Sequence, residues 1–314
     1  MLTRWKTPAG RAYDLYLDAL KQPHLLIAGA TGSGKSVLVN GLIYTALFRS
    51  PAAVGLILID PKRVELAQYR PSPHVLRYAS EPDTMPAALR DALDLTEDRY
   101  RRMQAEGVRK FDGADVYVVI DELADLMTTA RKEVQPLIQR LCQIGRAARV
   151  HVVACTQCPI SAVIPTPIKV NFDSRFALRT RSAQDSRNIL GVTGCEALPR
   201  YGQAYYLTPE GLTLYTVPMI PDEEITRRVK WWKKQSPHEG PLKDGPFFTP
   251  SERPGRAGEG REGTTARPQQ ERPEKGPSRH PPHVLTPHPT PAAEGPTERA
   301  RAQRREKAPN LRDP

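Results

Sequence analysis

The chain has 314 residues, with 46 lysines and arginines against 35 aspartates and glutamates, a formal charge of +11 at pH 7. Its longest apolar runs, HLLIAGA, VGLILI and VYVVI, fall well short of the roughly 20 residues a spanning helix needs, and the opening MLTRWKTPAG lacks an apolar signal core; a cytoplasmic protein is expected. The basic excess points to a polyanionic partner, nucleic acid or anionic membrane, without choosing between them.

Residues 1–22 read as a short, mixed N-terminal extension. A pattern then repeats four times: an apolar run ends in a small or charged residue, and a helical stretch follows. The runs cover 24–29, 54–60, 116–121 and 151–156. They are rich in Val, Ile and Leu without alternation, the signature of strands buried on both faces of a parallel sheet. A fifth run, FDSRFALRT from Phe172, alternates more and is a candidate edge strand. Helical stretches over 35–48, 85–106 and 131–148 separate the strands, giving an α/β domain with a mostly parallel sheet. Beyond Asp185 come SRNILGV, a loop TGCEALPRYG, and two strand-like runs, QAYYLT and LTLYTVP. DEEITRRVKWWKKQ closes the domain at 235 as a helix that Asp222 can cap, with Ile225, Val229 and Trp232 on one face. Trp231 and Trp232, beside Lys233 and Lys234, either dock on the domain or form a nucleic-acid or membrane patch. Residues 236–314 hold about half of the 32 prolines and almost no aliphatic side chains. Such a segment buries too little apolar surface to offset its ordering entropy, and a disordered tail is expected. A solvated linker and a nucleic-acid-contacting arm are its two readings.

Between the first strand and the first helix stands GATGSGKS: Gly29, Ala30, Thr31, Gly32, Ser33, Gly34, Lys35 and Ser36. This is the phosphate-binding loop G-x-x-x-x-G-K-[ST] in its required context. The glycines let backbone N–H groups turn to an anion, and the helix N-terminus adds its dipole. ATP is the expected ligand, with Lys35 on its outer phosphates and Ser36 on Mg²⁺. The third strand ends in Asp121 and Glu122. Asp121 there can hold the Mg²⁺ through water. Glu122 suits a general base that activates water, or a helix cap for the ELADLM that follows. The fourth strand ends in CTQCP. A C-x-x-C pair can be redox-active or half a zinc site, but Cys142 and Cys195 have no close cysteine or histidine partner to complete one. At the strand edge where ligands bind in open α/β sheets, Gln157 beside Thr156 reads better as a polar sensor of the terminal phosphate, flanked by Cys155 and Cys158, which pack.

These blocks resemble the FtsK/SpoIIIE family of double-stranded DNA translocases, from about Pro23 to Tyr206. The carriers are PHLLIAGATGSGKSVLVNGLI, LILIDPKRVELAQY, AEGVRKF, VYVVIDELADLM, IGRAARVHVVACTQCP and DSRFALRTRSAQDSRNILG, in that order. The segment from Asp60 through Lys62 to Glu65 is diagnostic, because generic P-loop ATPases lack it. The resemblance implies a RecA-like P-loop NTPase over residues 23–235, with strand order 5-1-4-3-2, working as a homo-hexameric ring around duplex DNA. It implies ATP and Mg²⁺ at Lys35, Ser36, Asp121, Glu122 and Gln157, and an arginine from the neighbouring subunit at each site. Arg146, Arg149, Arg175 and Arg187 are candidates, Arg175 and Arg187 lying in the blocks most like the family's subunit boundary. Arg200 is a candidate DNA contact. The family's usual residues at 155 and 158 are alanine and arginine. The membrane-spanning and winged-helix domains of cell-division members are not visible, which fits service to a mobile element, plasmid or phage. A conjugation or secretion ATPase with a membrane or secretion-channel partner, and a nucleotide-gated DNA- or protein-binding adaptor with slow turnover, are the alternatives.

Overall fold

The computed structural model of the chain describes residues 12–235. The expected disorder of the tail, and residues 1–11, lie outside the described residues. The described strands are β1 (His24–Ala28), β2 (Val54–Ile59), β3 (Val75–Ala79), β4 (Asp115–Ile120), β5 (Val150–Thr156), β6 (Ser174–Ala177), β7 (Gln203–Thr208) and β8 (Gly211–Thr216). They form one sheet in the order β3-β2-β4-β5-β1-β6-β7-β8. Pairing is parallel from β3 through β6 and antiparallel for β6–β7 and β7–β8. The five strands expected from the sequence keep the order 5-1-4-3-2, and β3 joins beyond them. The candidate edge strand is not at an edge: β6 lies between β1 and β7, because the two following runs extend the sheet as a hairpin.

The helices are α1 (Ala12–Lys21), α2 (Lys35–Ala46), α3 (Thr84–Glu106), α4 (Leu123–Thr129), α5 (Arg131–Ile144), α6 (Thr166–Lys169), α7 (Ala183–Leu190) and α8 (Asp222–Gln235). Successive strand residues face opposite sides of a sheet, so the central strands need apolar cover on both. Leu25 and Ile27 pack in one cluster with Leu38 and Leu42 of α2 and Ile225 and Val229 of α8. Leu26 packs in the other with Leu89 of α3 and Ile138 and Leu141 of α5. Each such side chain contributes about 1.5–3 kcal/mol on full burial. The closing helix docks as read: the Trp232 indole N–H donates to the Leu47 carbonyl at 2.7 Å, while Trp231 stays exposed. Among the described residues, no helix is long and apolar enough to cross a membrane.

Residues 1–22 carry an element that their mixed composition does not announce. Leu15, Tyr16 and Ala19 of α1 are buried against α2. The Tyr16 ring lies over Gly41, where an added Cβ would meet it at 2.2 Å, and its hydroxyl donates to the Pro218 carbonyl at 2.8 Å. Gly41→Ala therefore forces the ring off its seat. We expect a loss of about 1–3 kcal/mol, the usual cost of overpacking, read from the midpoint of urea unfolding; an unchanged midpoint would show that α1 does not press on α2.

Candidate active site

The parallel register ends three neighbouring strands at one edge. Ala28 stands beside Thr156, and Ile120 beside Ala154. The loop Gly29–Ser36, the pair Asp121–Glu122 and the segment Thr156–Gln157 therefore emerge together. The loop is tied to both flanks: Gly29 N–H donates to the Thr156 carbonyl at 3.2 Å, and Ala30 N–H to the Arg179 carbonyl at 2.8 Å. Gly32 and Gly34 have φ of 71° and 94°, a region that side chains resist. At Gly29 a Cβ would fall 2.5 Å from Ser33 Oγ and 2.9 Å from Leu178 Cβ.

Lys35 Nζ, on the first residue of α2, donates to the Asp121 carbonyl and to Asp121 Oδ1, each at 2.8 Å. Both side chains are buried, at 5% and 1% exposure. Burial works against the ammonium charge, but the acidic groups around it, Cys155, Asp121 and Glu122, prevail, and its pKa is raised. At neutral pH the two carboxylates do this, because burial pushes the Cys155 thiol up to about 12. Cys155 faces the core and packs, as expected, and Cys158 is half-buried beside it.

Glu122 is 3% exposed and held from several sides. Thr156 Oγ1 donates to its Oε1 at 2.8 Å, and the Gln157 N–H lies 3.2 Å from both carboxylate oxygens. Lys62 Nζ, from the Asp60–Glu65 segment after β2, reaches Oε2 at 3.4 Å. Glu122 also caps α4, accepting from Ala124 N–H. The base and cap readings thus share one side chain. The Gln157 amide oxygen accepts from Thr31 Oγ1 at 2.8 Å, so the expected sensor touches the phosphate loop itself. Lys62 and Thr156 are parts of the cluster that spacing alone does not assign; the DPK block was the only signal for Lys62.

The donor set fits a nucleoside triphosphate with magnesium. Ser33 Oγ is buried without a partner, the glycines leave room for backbone to approach an anion, and Lys35 supplies the cation. The Ser36 hydroxyl and the Asp121 carboxylate are the hard oxygen ligands Mg²⁺ prefers.

The candidate arginines lie elsewhere. Arg175, in β6, donates to the carbonyls of Phe172, Ile189 and Lys169 in its own chain at 2.7, 2.8 and 3.3 Å. Arg187 stands exposed on α7. Arg149 is at the opposite sheet edge, where it grips Asp115 with two hydrogen bonds of 2.8 Å. Burial would raise the Asp115 pKa, but hydrogen bonds from His151, Arg149 and Arg49 hold it far below the usual carboxylate range. Arg146 belongs to the same edge, in the lining of an 880 Å³ cleft that also holds Lys21, Arg49, Arg109, Lys110 and Arg149. Arg200 is next to the phosphate loop, not remote from it.

Comparison with known proteins gives the family and the fold. The FtsK/SpoIIIE family profile matches residues 8–118 and 113–162. The DNA translocase FtsK of Mesorhizobium japonicum is 35% identical over 275 residues, covering 73% of this chain and 31% of that protein. The chain thus spans about a third of the relatives it matches. Among solved structures, the pCW3 conjugation coupling protein TcpA aligns with a TM-score of 0.60 at 23% identity, over 68% of this chain and 66% of that one. The cytoplasmic domain of the Thermomonospora curvata type VII secretion ATPase EccC aligns with a TM-score of 0.60 at 23% identity, over 73% of this chain and 29% of that one. The chain belongs to the FtsK/SpoIIIE family and carries its P-loop ATPase fold.

Proposed function

We propose that this chain is an ATP-driven motor that moves double-stranded DNA, working in the cytoplasm as a homo-hexameric ring and serving a mobile element, plasmid or phage. The observation that carries the reading is the junction of Lys35, Asp121, Glu122 and Gln157 at one sheet edge of a chain from this family. Bound ATP and Mg²⁺ would supply the electrophilic γ-phosphoryl group and its charge neutralisation. Lys35 would exchange its contact with Asp121 for the outer phosphates, leaving Asp121, with Ser36, to hold the metal ion. Glu122 accepts the proton of the attacking water. Its orientation comes from Thr156 and the Gln157 N–H. The Gln157 amide, hydrogen-bonded to Thr31, couples the state of the loop to the segment after β5. Arg175 and Arg187 are the proposed residues in trans. Arg175 would have to give up three carbonyl partners to reach a neighbour, and Arg187 would not.

A phosphodiester backbone is the proposed cargo contact, and the basic cleft supports it. Asp115 is the carboxylate in its lining, already neutralised by Arg49 and Arg149. The side chains of Arg109, Lys110 and Arg146 are exposed and make no hydrogen bond or ion pair among the described residues.

Four outcomes test these points. ATP hydrolysis by the purified chain should rise strongly with long linear duplex and fall again with salt; a rate indifferent to duplex moves the reading to a protein cargo or an adaptor. Glu122→Gln should keep ATP affinity and abolish turnover. Thr156→Val should lower kcat about 10- to 100-fold at unchanged ATP affinity, the effect of losing one charge-assisted hydrogen bond of about 1.5–3 kcal/mol. Equal loss of binding in either variant removes the base or its positioning residue from this scheme. Arg109→Ala, Lys110→Ala and Arg146→Ala combined should lower the slope of log affinity against log salt for duplex DNA by about 2.7, for three lost phosphate contacts; an unchanged slope places the DNA elsewhere.

A further inference from the structure

We propose that Arg200 contacts the triphosphate of the bound nucleotide from within its own chain. It thus acts at the phosphate loop rather than on DNA, where its position in the sequence first placed it. The inference rests on reading Gly29–Ser36 as the ATP loop and adds a cation to it.

The route that brings Arg200 there is built into the core. The connection from α7 to β7 is anchored below β1. Cys195 and Leu198 pack in one buried cluster with Ala28, Ala177 and Ile189. Cys195 N–H donates to Ser186 Oγ at 3.2 Å, and its carbonyl accepts from Thr180 N–H at 3.3 Å. Ala28 immediately precedes the phosphate loop, so two residues beyond buried Leu198 the chain is carried to that loop. A Cβ placed on Gly32 would lie 3.5 Å from Arg200 Nη2 and 3.7 Å from Nε. The guanidinium therefore lies within van der Waals reach of the middle residue of the loop.

Nothing anionic in the protein accounts for that placement. The Arg200 side chain is exposed and makes no hydrogen bond or ion pair among the described residues; its guanidinium carbon lies over the ring of Tyr201, 5.3 Å from the centroid. The carboxylates of the site, Asp121 and Glu122, are buried and paired with Lys35 and Lys62. The loop offers the N-terminus of α2 as an anion-binding pole, while Lys35 is held by Asp121. An exposed guanidinium at that pole can add its charge to a bound anion. The planar fork of N–H donors suits the non-bridging oxygens of a triphosphate. Arg200 precedes β7 and Asp121–Glu122 follow β4, strands on opposite sides of β1 in the sheet, and Arg200 would reach the triphosphate without a neighbouring subunit.

The experiment uses the full chain with Arg200→Ala and Arg200→Lys. Affinity for a fluorescent ATP analogue and affinity for labelled duplex DNA are measured separately, with Lys35→Ala as the control for the loop. The expected result is a loss of nucleotide affinity of about tenfold or more in Arg200→Ala and a smaller loss in Arg200→Lys, whose ammonium keeps the charge without the fork. DNA affinity and melting temperature should stay unchanged. Mixing Arg200→Ala with Lys35→Ala should not restore hydrolysis at low ATP, because both lesions fall on the site of one chain. Unchanged nucleotide affinity with weakened DNA binding returns Arg200 to the DNA and overturns the inference. Restored activity on mixing makes the residue act in trans and overturns it as well. Full nucleotide affinity in Lys35→Ala overturns the reading of the loop itself, a result that the Arg200 variants alone would not produce.

Discussion

The buried contact between Lys35 and Asp121 is the interaction around which the site is arranged. It joins the first residue of α2, the helix after β1, to the residue that follows β4, and β1 and β4 are separated in the sheet by β5. A charge pair removed from water is costly unless each partner satisfies the other, and removal of one partner costs about 3–5 kcal/mol. The pair therefore fixes the spacing of the phosphate loop and the acidic strand end as firmly as the core does. It also sets a condition for nucleotide binding: a phosphate must offer Lys35 at least what Asp121 offers. In the proposed function Asp121 would then be released with its charge uncompensated and a divalent cation would replace Lys35, so that binding of the anion and of the cation would be linked through one hydrogen-bonded pair.

Glu122 follows from the same edge geometry. A carboxylate accepting from Thr156, the Gln157 N–H and Lys62 has little freedom to rotate. That suits a base, whose usefulness depends on being aimed. Its partners come from two different strand ends, β5 and β2, so a change at either end is felt at the carboxylate. Gln157 extends the link, because its backbone holds Glu122 while its side chain holds Thr31. One residue thus touches both the proposed base and the loop.

What could be read from the sequence follows from how local each signal is. The phosphate loop is eight consecutive residues with a strand before and a helix after, and nothing distant is needed to see it. The apolar runs of β1, β2, β4 and β5 are legible because strands buried on both faces have no polar positions to interrupt them. Their order came from the family resemblance rather than from the runs. β3 was missed because VLRYA is short and only half-buried over most of its length. α1 was missed because its fit depends on Gly41, 25 positions after Tyr16, being without a side chain. The contacts Thr156–Glu122, Lys62–Glu122 and Arg200–Gly32 join residues far apart in the chain. Only the parallel register and the buried root of the loop before β7 bring them together. The cysteines show the converse. C-x-x-C is a visible local motif, yet Cys155 lies at the buried end of a central strand, where desolvation keeps the thiol protonated.

The two edges of the sheet carry different electrostatic work. At the C-terminal ends of the parallel strands, the buried acids Asp121 and Glu122 are each paired with a lysine, Lys35 buried and Lys62 exposed. At the N-terminal ends, Asp115 is over-matched by Arg49 and Arg149, and further cations face an open cleft unpaired. Such a surface has no geometric selectivity and attracts any extended anion in proportion to its charge density. β4 connects the two directly, running from Asp115 to Ile120 and on into Asp121.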